Sequence, residues 1–343
     1  MLKPLRCHND RMLEVREVDP NDDEVVSAWW RITHEVADHD TPGQPPWRLD
    51  ALRGYMSFPW RSQETAHFAA FLDEEMVGVA RVDWSLVDTP HLLSSELMVV
   101  PEHRRRGAGA SLLDKVIALG RKMGKTTLLA EGSAPPHDGP PIDDPGGVFA
   151  VNHDFKPALV NHHRVVRLPV DSGATARFDE LDDEYEIVHW LDHLPEDWIE
   201  DRARLAARMV TDAPMGDLEI TKEKWSSDRF REMEELVVSM DSHYVGAGAL
   251  LDGRLVAATE MSVPNSKGAD AHQWDTIVDP DHRGHRLGLR IKLANLKTLM
   301  AERPDIERVW TYNASENTPM IRVNDALGFK VGGLLTEWQR TGL

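Results

Sequence analysis

The sequence predicts an α/β protein with mixed sheets of the α+β kind, arranged as two tandem domains. Three observations carry that prediction. The stretch ELMVVPEHRRRGAGA, residues 96–110, runs an apolar strand into Pro101, three arginines and a glycine turn. A helical pattern follows at Leu112, Leu113, Val116 and Ile117. The same design returns in DTIVDPDHRGHRLGL, residues 275–289. Glu96 and Asp275, Arg104 and Arg283, and the hairpin turns at Asp73 and Asp252 are each 179 positions apart. One shift that aligns turn, strand and loop marks an internal duplication, and two copies are too few for a solenoid.

The elements follow in order. Met12 to Val18 reads as a strand and Asp22 to Asp38 as a helix, its apolar content carried by Val25, Val26, Trp29, Trp30, Ile32 and Val36. Pro42 to Pro46 breaks the chain, and Leu49 to Met56 is a second helix. His67 to Leu72 and Met76 to Trp84 form a hairpin, and the strand ending at Val100 comes next. A helix from Gly107 to Met123, a strand at Thr126 to Glu131 and a Pro/Gly/Asp loop at 132–146 follow. A short helix near Val148 to His153 and a strand at Ala158 to Leu168 close the first domain, residues 1–170. The polar stretch 171–184 is the expected linker, and residues 185–343 the second domain. There the plan restarts with a strand at Tyr185 to Leu191, helices at Glu196 to Met209 and Ser226 to Met240, and a hairpin across Asp252-Gly253-Arg254. The strand His272 to Val278, the helix Gly288 to Glu302, and strand, helix and strand at 306–313, 318–327 and 329–338 complete it.

The totals restrict the function. With 343 residues there is length for two cores, and 41% hydrophobic with 28% charged residues describes a soluble globular chain. No apolar run is long enough to span a membrane, and MLKPLRCHNDRM lacks a signal-peptide core, so a cytoplasmic location is expected. The single cysteine, Cys7, excludes an internal disulfide and lies outside any nucleophile context. A net charge of −19 argues against nucleic-acid and anionic-membrane partners. No metal site is expected. His34-Glu35 opens like a zinc-protease helix, yet Asp38 stands where its second histidine belongs. Gly124-Lys125-Thr126 imitates the end of a phosphate loop, but Leu119 replaces the first glycine. His162 and His163, adjacent on a strand, point to opposite faces.

Against that acidic background the two basic turns are local anion sites. The first N–H groups of a helix have no intrahelical partner, and its dipole adds positive character. A turn lined with glycine lets a phosphate approach the backbone.

These residues resemble the GNAT superfamily of N-acyltransferases, whose signature is a Q/R-x-x-G-x-G/A turn after an L-x-V-x-P strand. Leu97, Val99, Pro101, Arg104, Gly107 and Gly109 match it, as do Ile277, Val278, Pro280, Arg283 and Gly288, with Arg286 standing where the first glycine belongs. Near the C-terminus Asn313, Asn317 and the segment Asn324 to Phe329 resemble the second signature, an asparagine followed by a helix ending in L-G-F. The tandem form resembles the mycothiol synthase arrangement.

The resemblance implies transfer of an acetyl group from acetyl-CoA to a primary amine of a small molecule, by direct attack in a ternary complex. It implies a pyrophosphate held by Arg104, Arg105, Arg106, Gly107, Ala108, Gly109 and Ala110, or by Arg283, Gly284, His285, Arg286, Leu287, Gly288 and Leu289. Pantetheine would pair with the backbone at Met98 and Val99, or at Ile277 and Val278, with Asn313 and Asn317 beside it. Glu96 and Asp275, five residues before the proline, are the candidate bases, since a carboxylate on an apolar strand needs a partner or a task. Family members carry a tyrosine as acid where this chain has Asn324, and where its first half has Ala150; Tyr312 and His285 are alternative donors. Both halves are expected to bind CoA and the second to bear catalysis. The rival expectation is a CoA-binding scaffold with decayed chemistry. A monomeric pseudo-dimer or a homodimer would suit the duplication.

Overall fold

The computed structural model describes residues 12–141, 144–170 and 184–343. Cys7 and residues 171–183 of the expected linker lie outside them. The first half contributes β1 (Leu13–Glu17), α1 (Asp23–Asp40), α2 (Leu49–Met56), β2 (Gln63–Leu72), β3 (Glu75–Ser85) and β4 (Leu92–Val99). Then come α3 (Ala108–Lys122), β5 (Thr127–Ala134), α4 (Pro145–Asn152) and β6 (Lys156–Arg167). The second contributes β7 (Glu186–Leu191), α5 (Glu196–Ala206), α6 (Met209–Asp212), α7 (Ser227–Ser239), β8 (Ser242–Leu251) and β9 (Arg254–Pro264). It ends with β10 (Ala271–Val278), α8 (Leu287–Glu302), β11 (Arg308–Ala314), α9 (Thr318–Ala326) and β12 (Lys330–Thr341).

Period-2 burial explains the layers. On β2, Ala66, Phe68, Ala70 and Leu72 join a core with α3, while Ala69 and Phe71 join one with α1 and α2 on the other face. The second half repeats this, with Leu250, Leu255 and Ala258 packing towards α5 and α7, and Ala247, Val256 and Ala257 towards α8. Helix starts carry the caps the sequence offers: Asp22 accepts from Glu24 and Val25, Ser226 from Arg229.

All twelve strands form one sheet in the order β1-β2-β3-β4-β5-β12-β6-β11-β10-β9-β8-β7. The halves therefore exchange their last strands. β12, from the second half, inserts between β5 and β6, while β6, from the first, pairs with β11. Trp338 of β12 is 1% exposed within the α3-side core of the first half, and Val166 of β6 lies in the core of the second. The exchange also explains the expected strand ends that differ. β5 continues to Ala134 and β12 to Thr341 because the two pair along that whole length. The helix expected at 196–209 divides instead, where Arg208 N–H bonds Leu205 O in a tightened turn.

The equivalent helices α2 and α7 meet at the centre. A Cβ on Gly54 would lie 1.8 Å from Ser239 O, so this close approach admits only glycine. Arg48 at the start of α2 donates to Met240 O at 2.8 Å.

Because Trp338 closes the partner core, Trp338→Ala should destabilise the protein by about 3–5 kcal/mol in denaturant unfolding. Hydrogen exchange should locate the lost protection in β2–β5 and α3, distant in sequence from the substitution.

Candidate functional site

Each half contains one parallel strand pair that parts before its strands end. β4 pairs with β5 only from Leu92–Thr127 to Ser95–Ala130, and β10 with β11 only from Ala271–Val309 to Gln273–Thr311. Beyond those points β4 runs on to Val99 and β10 to Val278 with one edge unpaired. An unpaired strand edge presents N–H and C=O groups to whatever enters the opening.

The two openings differ. β3 and β4 stay in unbroken register from Gly78–Val99 to Asp83–Ser94. β10 carries a bulge, in which Trp274 and Asp275 oppose the single residue Glu260 of β9. The bulge turns the backbone at Asp275 out of the ladder and adds a local bend.

The turns that follow keep the same backbone with exchanged residue types. Arg105 and Gly107 are left-handed in the first, at φ 62° and 92°; Gly284 and Arg286 take those conformations in the second, at φ 91° and 57°. Arg286 thus occupies the glycine position without changing the path, at a steric cost of about 1–2 kcal/mol. Open space surrounds Gly284, where a Cβ would meet no heavy atom within 4 Å.

What lies beside the two turns decides their accessibility. At Gly109 the Phe149 ring of α4 comes within 3.2 Å of the Cβ position, with Val99 at 3.7 Å. At the equivalent Gly288 only Val278 at 3.7 Å and Thr276 at 3.9 Å approach. Arg104 is engaged too: its guanidinium donates to both oxygens of Asp40 and to Val99 O. Arg283 donates to Asp212 at 2.7 Å and to Val278 O, with a half-exposed side chain.

A cavity of about 1560 Å³ occupies the second opening. Of the expected binding residues, Ile277, Val278, Arg283, Gly284, Arg286, Leu287, Gly288, Asn313 and Asn317 line it. His285 and Leu289 do not; His285 packs against Tyr185 with ring centres 5.2 Å apart. Met98, Val99, Arg104, Arg105, Arg106, Gly107, Ala108, Gly109 and Ala110 lie away from it. The cavity then continues into a chamber walled by the first half, through Trp30, Trp47, Glu131 and Leu159, with Leu335 and Glu337 of the exchanged strand.

The candidate bases part company here. Asp275 lines the cavity, with its side chain 38% exposed, and accepts from Arg202 at 3.1 Å. Arg202 is buried and binds Glu260 through Nε at 2.6 Å and Nη2 at 3.0 Å. Burial pushes the Glu260 carboxyl up while Arg202 opposes it. Glu96 faces Arg81 across the β3–β4 register and is not part of the cavity wall. Burial raises its carboxyl, opposed by the Arg81 guanidinium.

Asn324 is fully buried and stands behind the wall. It accepts from Lys292 Nζ at 2.8 Å and donates to Asn313 Oδ1 at 3.0 Å, so its position is that of a supporting group rather than one that meets a ligand. Tyr312 lines the cavity and stacks on His163 at 4.0 Å, and burial drives its phenol above the usual range. Two groups were not apparent from residue order. Lys292 lines the cavity although 1% exposed. Glu131 faces Glu337 directly across β5 and β12, and the depth of the recess, then Glu337, Glu96 and Asp83, raise it to about 8. The helical spacing of Leu289, Leu293, Leu296 and Met300 places Lys292 on a helix, but no local signal marks it as buried.

Comparison with known proteins decides the family. The model of the acetyltransferase (GNAT) family matches residues 26–136 and 180–329. The chain belongs to the GNAT acetyltransferase family. A mycothiol acetyltransferase of Acidothermus cellulolyticus is 25% identical over 285 residues, covering 79% of this chain and 77% of that protein. The structure of a tandem GNAT protein from the clavulanic acid biosynthesis pathway superposes with a TM-score of 0.81 at 27% identity, covering 96% of this chain and 98% of its own. A GCN5-related N-acetyltransferase from Sphaerobacter thermophilus shares the fold, with a TM-score of 0.59 at 15% identity over 97% and 96% of the two chains. This GNAT chain is thus an acyltransferase of tandem build, in a family that draws its acyl group from acyl-CoA. None of its described helices is long and apolar enough to cross a membrane.

The raised carboxyl of Glu131 gives a pH signature. Its folded value lies above the unfolded one, so its contribution to stability is full below about pH 4.3 and is lost as pH rises through about 8; because Glu131 is exposed to the open chamber, solvent screening keeps that contribution small. The Tm of Glu131→Gln relative to wild type should therefore be lowest near pH 4, climb as the pH is raised, and level off above about pH 8.

Proposed function

We propose that this GNAT protein transfers the acetyl group of acetyl-CoA to a primary amine of a small molecule, at the second-half opening. The observation that carries the reading is the continuous cavity. It runs from the turn at Gly284 to Gly288, past the bulge at Trp274 and Asp275, into the chamber walled by the first half. The residues present fit a CoA donor. Free N–H groups at the start of α8, with Arg283 and Arg286, suit its pyrophosphate, and the unpaired edge of β10 suits its pantetheine amides.

When bound, the thioester supplies an activated acyl carbon for direct attack by the amine. The chain's own groups do the rest. Backbone N–H groups released beside the bulge polarise the carbonyl. Asp275, held in place by Arg202, accepts the proton of the attacking amine directly or through water. The chamber holds the acceptor, and a cationic amine placed there would draw the facing carboxyls of Glu131 and Glu337, both raised in the free protein, back towards their charged form. The first half serves as the acceptor wall. Phe149 packs against the Cβ position of Gly109, and Arg104, paired with Asp40, is 21% exposed where Arg283 is 50%, so that half holds no second CoA in this reading. The mycothiol acetyltransferase relative supports an acetyl donor.

Calorimetry should therefore find one CoA per chain. Arg104→Ala should leave that stoichiometry and affinity unchanged, while Gly288→Phe, which places a ring where Phe149 stands in the first half, should abolish binding. Two CoA molecules per chain, or loss of binding on Arg104→Ala, would move the site. With a panel of small amines in a thiol-release assay, Asp275→Asn should lower kcat about 100-fold or more with little change in KM for acetyl-CoA.

A further inference from the structure

The family's usual acid, a tyrosine on the helix before L-G-F, is replaced by a buried asparagine, yet the departing thiolate must still receive a proton. We propose that Lys292, on the second turn of α8, is the catalytic acid that protonates the CoA sulfur as the acyl group leaves. This rests on the proposed function, which places CoA in the second-half opening.

Position is the first argument. β10 runs into the phosphate-type turn, and α8 runs back along it. Gly288 sits beside Val278 and Thr276, at 3.7 and 3.9 Å from its Cβ position. Lys292 is four residues further on, hence on the same face of α8 and about 6 Å along its axis. About two strand residues span that distance, which brings Lys292 level with Thr276 and Asp275, at the bulge where the carbonyl would be held. It lines the same cavity as Thr276, Ile277 and Asn313.

Chemistry is the second. An ammonium taken from water this completely is costly unless it is paired or has a task. Lys292 has no carboxylate partner among the described residues. Its Nζ donates to the neutral Asn324 Oδ1 at 2.8 Å and lies 4.9 Å from the Phe329 ring centre, which uses one of its three donors. The charged groups packed around it are Arg164 of β6 and, beyond it, Asp325 of α9, which Arg164 already pairs while donating to Phe329 O. Burial first, then Arg164, lowers the Lys292 ammonium to about 7. An acid of that strength gives up its proton readily to an alkyl thiolate, whose conjugate thiol lies near ~8.5. Asn324 and Asn313 form a chain that fixes the rotamer from behind. The asparagine at the tyrosine position thus holds the donor instead of being one.

The step balances. The amine nitrogen bonds to the acyl carbon, the C–S bond breaks with its electron pair on sulfur, and the Lys292 Nζ proton passes to that sulfur. The proton released by the amine leaves through Asp275 to solvent, and the neutral Lys292 amine regains one from solvent through the cavity.

The test uses the full-length protein and CoA itself. The thiol of bound CoA is titrated by its ultraviolet thiolate absorbance in wild type and Lys292→Met, with CoA affinity measured in parallel. Wild type should hold the bound thiol at least about tenfold more acidic than the variant does, and Lys292→Met should lose kcat with KM for acetyl-CoA little changed. A bound thiol with the same titration in both proteins, each binding CoA, overturns the assignment while leaving the proposed function intact. Failure of the wild type to bind CoA overturns both. Should Lys292→Met not fold, the 15N resonance of the wild-type Lys292 ammonium decides the same question. Its titration moves upward when CoA is added and the thiolate forms, and an unmoved titration overturns the assignment.

Discussion

The exchange of β6 and β12 governs everything else in the molecule. By inserting between β5 and β6, β12 converts two sheets into one of twelve strands, and each half finishes its core with the other's strand. A hydrogen-bonded, apolar junction of this length fixes the relative orientation of the halves, where a linker alone would leave them free to move. The chamber needs that fixed orientation, since its walls come from strands of both halves.

The duplication left two openings with the same plan, and packing has given them different accessibility. In the first half the strand edge is regular, an aromatic ring covers the glycine of the turn, and the arginine that could meet a phosphate is held by a carboxylate. In the second a bulge frees the backbone, Gly288 meets only Val278 and Thr276 at van der Waals distance, and Arg283 binds Asp212 and Val278 O with its side chain half exposed. The first half keeps the same scaffold, and its strands also wall the chamber that opens from the second.

Polar groups at the second site are organised from behind. Arg202 joins Glu260 to Asp275, and Asn324 joins Lys292 to Asn313. Both are buried junctions in which a group facing the cavity is held by a partner that does not reach it. Such support restricts the rotamers of Asp275 and Lys292, the two charged side chains held at the cavity wall in this way.

Residue order was enough for the local pieces: a strand, a basic turn and a helix, twice, with Asp275 and Glu96 in equivalent places and nearly every element within a few residues of its observed ends. These follow from periodicities and turn chemistry that a short window contains. Packing in three dimensions was needed to put β12 beside β5, to close one groove with Phe149, and to fit Arg286 into a glycine's conformation. It was needed too for Lys292, one polar residue in LGLRIKLANL, to be buried against Phe329 and Asn324, and for Glu131 and Glu337, far apart in the chain, to face each other. The cause is that each strand selects its neighbours among many apolar strands of similar pattern. Burial of a polar side chain likewise depends on what packs over it, and neither is written in the residues nearby.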